Sequence, residues 1–122
     1  MATGDDQWCE ELLSGANARE ARAWLTDEPE RLRTLGEFES REESLELIEK
    51  AYATGALRVT AVEIDEYPDM AGAQNTGSLV VTLPQDPELR AKVFAWVGEL
   101  AEFQGYDRET DRGQSYLYLM LD

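Results

Sequence analysis

The chain of 122 residues contains no histidine, and it has a single cysteine, Cys9. Histidine is the commonest general acid or base near neutral pH, so its absence excludes Ser-His-Asp and Cys-His catalysis. Cys9 cannot form an internal disulfide, and no neighbouring basic residue stabilises its thiolate form. These absences indicate a binding protein rather than an enzyme.

Long apolar runs are also missing, since none approaches the roughly 20 residues that span a bilayer. The first six residues lack the basic and apolar regions of a signal peptide. Together with a lone cysteine, these features predict a protein of the reducing cytoplasm that has no membrane role.

Basic residues are scarce relative to acids, with 11 Lys and Arg against 26 Asp and Glu and a formal charge of -15. Residues 1–56 carry a net charge of -8 and residues 57–122 one of -7, so the acidity belongs to the whole folded surface. Nucleic acid is a poor partner, because phosphate binding needs clustered Lys and Arg. The charge serves either solubility or attraction to a basic protein partner.

The length fits one domain over residues 1–122, with an N-terminal helical segment over 1–30 and a core over 31–122. The segment is predicted to form two helices, the second from Ala18 to Leu25, with Asn17 and Glu20 as its capping residues.

Two further helices are predicted in the core. Ser40 and Glu43 form a capping box, and Gly55 supplies a stop, for a helix over 41–54. Asp86 precedes a proline at the start of the other helix, which extends to residue 104.

Alternating or β-branched apolar residues predict four strands, over 33–38, 57–64, 77–83 and 115–121. The apolar positions of the second strand change parity, which indicates a bulge or burial on both faces. The stretch over 66–76 contains Pro, Gly and Asn and is predicted to be a loop.

The resulting order β-α-β-β-α-β predicts an α+β protein with the ferredoxin-like split βαβ fold. In that fold, a four-stranded antiparallel sheet carries both helices on one face. The other face, with Tyr116, Tyr118 and Met120, is then open, and a patch of this size rarely stays exposed. Either the N-terminal helices or a second copy of the chain must cover it.

Carboxylates are the remaining candidates for chemistry. Glu63, Asp65, Glu66 and Asp69 follow the second predicted strand and could act as acid and base or hold a cation. In a chain with 26 acids such clusters arise by chance, and the acidic run over 107–113 does not match a calcium loop. We therefore predict no catalytic residue, no metal site and no cofactor.

The leading hypothesis is a non-catalytic acidic binding domain, an inhibitor, immunity or regulatory protein, that docks on a basic protein partner through those four acids. A small ferredoxin-like enzyme or small-ligand-binding domain that uses carboxylates is one alternative. A structural homodimer through the open sheet face is another. The position of the first 25 residues distinguishes the last from the others.

Overall fold

The computed structural model describes residues 4–121, which form four α-helices and seven short strands. The helices are α1 (Gly4–Leu13), α2 (Ala21–Thr26), α3 (Arg41–Thr54) and α4 (Pro87–Phe103). The strands are β1 (Arg19–Glu20), β2 (Arg33–Leu35), β3 (Arg58–Val62), β4 (Asp65–Tyr67), β5 (Ala73–Thr76), β6 (Ser78–Thr82) and β7 (Tyr116–Met120). A 3₁₀ turn, Pro68–Met70, follows β4. The predicted α+β class is confirmed.

The ends of α3 and α4 are set by the predicted capping residues. The Ser40 hydroxyl accepts a hydrogen bond from the Glu43 N–H at 3.1 Å, and Gly55 ends α3 with a φ of 132°. The Asp86 carboxylate accepts from the Leu89 N–H at 2.9 Å and begins α4. Both predicted helices are confirmed because their signals are local.

Helix α2 begins later than predicted, because residues 19–20 pair with β3 as strand β1. Its N-cap is Glu20 rather than Asn17, and the Glu20 carboxylate accepts from the N–H groups of Arg22 and Ala23. The Asn17 carbonyl instead accepts from the Ile64 N–H at 3.3 Å.

The four-stranded sheet has the order β1-β3-β6-β7, and every neighbouring pair is antiparallel. The ferredoxin-like order is wrong, since it would place the strand at 33–35 between β6 and β7, which pair directly. That strand, β2, lies in a second sheet of order β2-β5-β4 and is parallel to β5. Gly36, directly after β2, turns the chain with a φ of 54° close to the end of β7, where a Cβ would lie 2.9 Å from Leu121.

The two sheets share one bent hairpin, in which β3 continues into β4 and β5 into β6. The bend falls at Glu63, which has a φ of 55°, and at Gly77 on the returning strand. The Thr76 hydroxyl spans it, donating to the Val62 carbonyl at 2.6 Å and accepting from the Ser78 N–H at 3.0 Å. The predicted loop over 66–76 is therefore wrong, because most of this stretch is paired strand.

Helices α2, α3 and α4 pack on one face of the four-stranded sheet, as predicted for the two core helices. Their buried residues include Trp24, Leu25, Ile48, Ala51, Val93 and Val97, and the sheet contributes Val59, Ala61, Leu79, Val81, Leu117 and Leu119. Helix α1 lies on the opposite face, where Cys9 packs with Val62 and Val80. Ala61 packs toward α2, α3 and α4, whereas Val62 packs toward α1, so β3 is buried on both faces. Burial on both faces accounts for the change in parity of the apolar positions in its sequence.

Candidate functional site

The sheet face that was predicted to be open is covered by α1. Tyr116 and Tyr118 pack with the Cys9 layer, and the Trp8 ring meets the Tyr118 ring edge-on with centroids 4.6 Å apart. The Asp6 carboxylate accepts from the Ser115 N–H at 2.9 Å, which ties the helix to the start of β7. Burial raises the pKa of Tyr116.

Met120, the third residue of that predicted interface, is half-buried, and its sulfur accepts a hydrogen bond from the Tyr106 hydroxyl at 3.3 Å. Of the two expected ways of covering this face, the N-terminal helices or a second copy of the chain, the structure shows the first, through α1. The homodimer alternative thereby loses the surface on which it was based.

Few groups in the described part of the chain are placed for catalysis or metal binding. Cys9, a residue of α1, is buried against the sheet, with 2% exposure. Within residues 4–121, no three acidic or thiol side chains converge on a possible metal position. None of the helices in that range combines the length and the apolar character that crossing a membrane requires.

The structure distributes the four predicted acids over three settings. Glu63 lies at the bend and Asp69 in the 3₁₀ turn, and both are exposed. Asp65 and Glu66 are neighbours in β4, so their side chains project from opposite faces of the second sheet. The Glu66 carboxylate accepts a hydrogen bond from Gln74 Nε2 at 3.3 Å and lies 3.5 Å from an Arg31 nitrogen. Glu66 therefore lies on the same face of the second sheet as Gln74, hereafter the inner face, and Asp65 lies on the outer face.

The outer face of the second sheet carries a hollow that the sequence did not reveal. The strand registers place Leu32 beside Ala73, and Ala73 beside Tyr67. A small residue between two large ones leaves a depression, which Met70 borders from the turn. This depression, hereafter the Ala73 hollow, has a volume of about 290 Å³.

Hydrogen bonds hold the floor of the Ala73 hollow in place. The Asn75 side-chain amide donates to the Thr34 hydroxyl at 2.9 Å and to the Gly36 carbonyl at 3.0 Å, which links β5 to β2. On the inner face, Gln74 Oε1 accepts from the Trp24 indole N–H at 3.0 Å. The hollow is therefore built on paired backbone, anchored to the core on its inner side.

A buried arginine fixes the segment that leads into Leu32. Arg33 is only 3% exposed, and its guanidinium donates to the Trp24 carbonyl and to the Asp27 carboxylate. Burial alone would raise the pKa of Asp27, but hydrogen bonds from Arg19 and Arg33 hold it below its ordinary value. The hydrogen bonds of Arg33 thus hold the segment over 27–32 against the core, while the Leu32 side chain is exposed to solvent.

The surface around the hollow combines apolar and acidic groups. Leu32, Tyr67 and Met70 are 47%, 42% and 63% exposed, although all three are large apolar or aromatic side chains. Asp65 shares the outer face with Tyr67, and Asp69 lies between Tyr67 and Met70 in the chain. Among residues 4–121, no lysine or arginine lines the hollow.

Sequence reasoning selected two acids of this surface, Asp65 and Asp69, and missed its apolar members. Tyr67 and Met70 fell in the stretch that was assigned to a loop, and Leu32 lies more than 30 positions before them. The available signal was that Tyr67 and Met70 stand among acids with no helical or strand periodicity to bury them.

Comparisons of the chain with models of protein families, with curated proteins and with solved structures gave no significant match.

Proposed function

We propose that the protein is a non-catalytic binding module that docks on a basic protein partner through the outer face of its second sheet. The proposal is carried by one observation: Leu32, Tyr67 and Met70 are exposed around the Ala73 hollow, and the same strand and turn carry the exposed acids Asp65 and Asp69. Apolar patches of this kind on a small domain mark interaction sites more often than they serve the fold.

The energetics fit a recognition centre rather than a complete interface. Full burial of one large apolar side chain yields about 1.5–3 kcal/mol, so covering three that are half exposed yields roughly 3 kcal/mol. Tyrosine and methionine are enriched at interface centres, where a few residues dominate the affinity. A partner must cover about 800 Å² of each surface for stable binding, so contacts beyond the hollow are required.

The chemistry of this surface favours a partner that presents lysine or arginine. The aliphatic stem of such a side chain packs on Leu32 and Met70, and its cation reaches Asp65 or Asp69. The face of Tyr67 offers a further attraction for the cation. The overall charge of -15 increases the encounter rate with a basic partner.

The proposal includes a location in the reducing cytoplasm. Its support is the single cysteine, Cys9, which is buried and has no second cysteine to pair with. Inhibitory, immunity and regulatory roles are all compatible with such a module, and they differ only in the partner.

The experiment compares two single variants that differ in position but not in exposure. Met70→Ala removes a wall of the hollow, whereas Leu57→Ala removes an equally exposed side chain at the far end of the hairpin, both being 63% exposed in the wild type. Each variant is immobilised, basic proteins are captured from the native cytoplasm, and the affinity of each captured protein is measured by surface plasmon resonance. We expect Met70→Ala to weaken the partner's affinity about tenfold, as for a central contact, and Leu57→Ala to leave it unchanged.

The contribution of charge is measured on the same partner. Asp65→Asn with Asp69→Asn should slow association, and the effect should shrink as salt rises from about 0.01 M to about 0.15 M. Glu88→Gln in the first turn of α4 is the matched control. Equal affinities for wild type, Met70→Ala and Leu57→Ala would contradict the assignment of the docking face.

A further inference from the structure

A second concave site lies on the first sheet, away from the proposed docking face. A cavity of about 220 Å³ opens between α4, β7 and the coil that follows Gly105. Its walls are apolar, formed by Phe94, Val97 and Ala101 of α4 and by Leu117 and Leu119 of β7.

The cavity exists because α4 presents small residues toward the coil. Gly98 is buried, and a Cβ there would lie 3.0 Å from the Arg108 side chain. The stem of Arg108 therefore lies on the helix, where its Nε contacts the Glu102 carboxylate at 2.8 Å. The coil is held on α4 at this point, and the space beside Ala101 stays open.

The residues on either side of Arg108, Asp107 and Glu109, line the cavity and are themselves exposed, so its mouth is bordered by two acidic residues. Glu109 lies 3.3 Å from an Arg112 nitrogen. Asp107 makes no hydrogen bond or ion pair with any other residue in the range 4–121. Within the part of the chain that the structure describes, no lysine or arginine lines the cavity.

We propose that this cavity binds a small arylalkyl amine, that is, one aromatic ring with a short chain that ends in an ammonium group. A dry apolar cavity of about 150 Å³ accommodates benzene, so 220 Å³ accommodates a ring with a short chain. The ring packs between α4 and β7, and the ammonium group pairs with Asp107. An anionic ligand of the same size is disfavoured by both acidic residues at the mouth.

The test uses three probes of nearly equal size and different charge: 2-phenylethylamine, 2-phenylethanol and phenylacetate. Each is titrated into ¹⁵N-labelled full-length protein, and amide shifts are followed by NMR. We expect the amine to perturb the amides of residues that line the cavity on all three sides, among them Val97, Ala101, Asp107, Leu117 and Leu119. The alcohol should bind about two- to fivefold more weakly, the contribution of one exposed ion pair, and phenylacetate should bind more weakly than the alcohol.

Two variants separate the cavity from general attraction to an acidic protein. Ala101→Leu fills the cavity and should weaken amine binding at least about tenfold, whereas Ala95→Leu makes the same change at an exposed position of α4 outside the cavity. Asp107→Asn is at an exposed position and leaves the fold intact. It should reduce amine affinity about two- to fivefold and leave alcohol affinity unchanged.

Three results would overturn the assignment. One is equal binding of the three probes, and another is amine shifts scattered over the surface and unaltered in Ala101→Leu. The third is an amine affinity that does not respond to Asp107→Asn. All of these outcomes are independent of the docking experiment, because no cavity residue lines the Ala73 hollow.

Discussion

Replacing Tyr52 by phenylalanine tests the polar network that connects α2, α3 and the four-stranded sheet. The Tyr52 hydroxyl donates to the Glu20 carboxylate at 2.5 Å and accepts from the Val59 N–H at 3.0 Å. Burial raises the pKa of Tyr52, and the bond to Glu20 raises it further, so the hydroxyl stays protonated. One oxygen atom thereby links the N-cap of α2 to β3.

The expected loss in the free energy of unfolding follows from the two hydrogen bonds that Tyr52→Phe removes. A hydrogen bond to a charged group contributes about 1.5–3 kcal/mol, and an unsatisfied buried N–H costs about 1–3 kcal/mol. Val59 is fully buried, so water does not readily replace the lost acceptor. The ring of phenylalanine preserves the packing, and we expect Tyr52→Phe to lower the free energy of unfolding by about 3 kcal/mol. That is a large part of the roughly 5–15 kcal/mol typical of a domain.

The assay is urea unfolding at pH 7, followed by tryptophan fluorescence and by far-ultraviolet circular dichroism. Tyr67→Phe is the matched control, because it removes a hydroxyl that is exposed on β4 and should cost under about 0.5 kcal/mol. Glu20→Gln completes a double-mutant cycle with Tyr52→Phe, and we expect a coupling energy of about 1 kcal/mol or more.

A loss of under about 1 kcal/mol for Tyr52→Phe, or additive effects of the two substitutions, would refute this reasoning. The Val59 N–H would then have found another acceptor, and the hydroxyl would not couple α2 to the sheet.

Three further predictions concern stability. Gly77→Ala should destabilise by about 2–3 kcal/mol in urea melts, because its Cβ would lie 2.4 Å from the Leu121 carbonyl oxygen; an unchanged midpoint would show that the bend adapts. Val93→Asp buries an unpaired charge at a residue with 0% exposure and should cost about 3 kcal/mol or more in the same assay; a loss below about 1 kcal/mol would contradict this. Acid should unfold the protein, as monitored by circular dichroism during pH titration. Burial by itself would raise the pKa of Glu20, but hydrogen bonds from Tyr52 and from backbone N–H groups hold this pKa below its ordinary value. The hydrogen bond from Arg90 likewise lowers the pKa of Asp111. These folded-state values lie below the unfolded ones, so the stabilisation is complete at neutral pH and is lost as the pH falls below about 4. Stability that is constant down to about pH 2 would contradict it.

The helices of the core could be predicted because their determinants lie within a few residues of one another. Ser40 with Glu43 and Asp86 with Leu89 form caps through bonds that span three positions. The apolar spacing that buries Ile48 and Val93 is likewise a property of one segment. The alternation of β7 also correctly predicted its leucine face, since Leu117 and Leu119 pack on the helices.

The sheet order could not be predicted in the same way. β1 is two residues long and carries no periodicity, yet it occupies the edge position beside β3. β2 was correctly expected to be extended, but its partner is β5, about 40 positions later. That partner was hidden because Gln74 and Asn75 are polar residues typical of turns, and only their bonds to Trp24 and Thr34 make them suitable for a strand.

By itself, the sequence determined the charge, the absence of histidine chemistry, the α+β class and the core helices, since composition and local periodicity suffice for these. Tertiary structure alone decided that α1 covers Tyr116 and Tyr118, and that Leu32, Tyr67 and Met70 surround Ala73. The physical reason is that caps and helical stripes are satisfied by neighbours in the chain. Sheet order and concave surfaces depend instead on hydrogen bonds and packing between segments tens of residues apart.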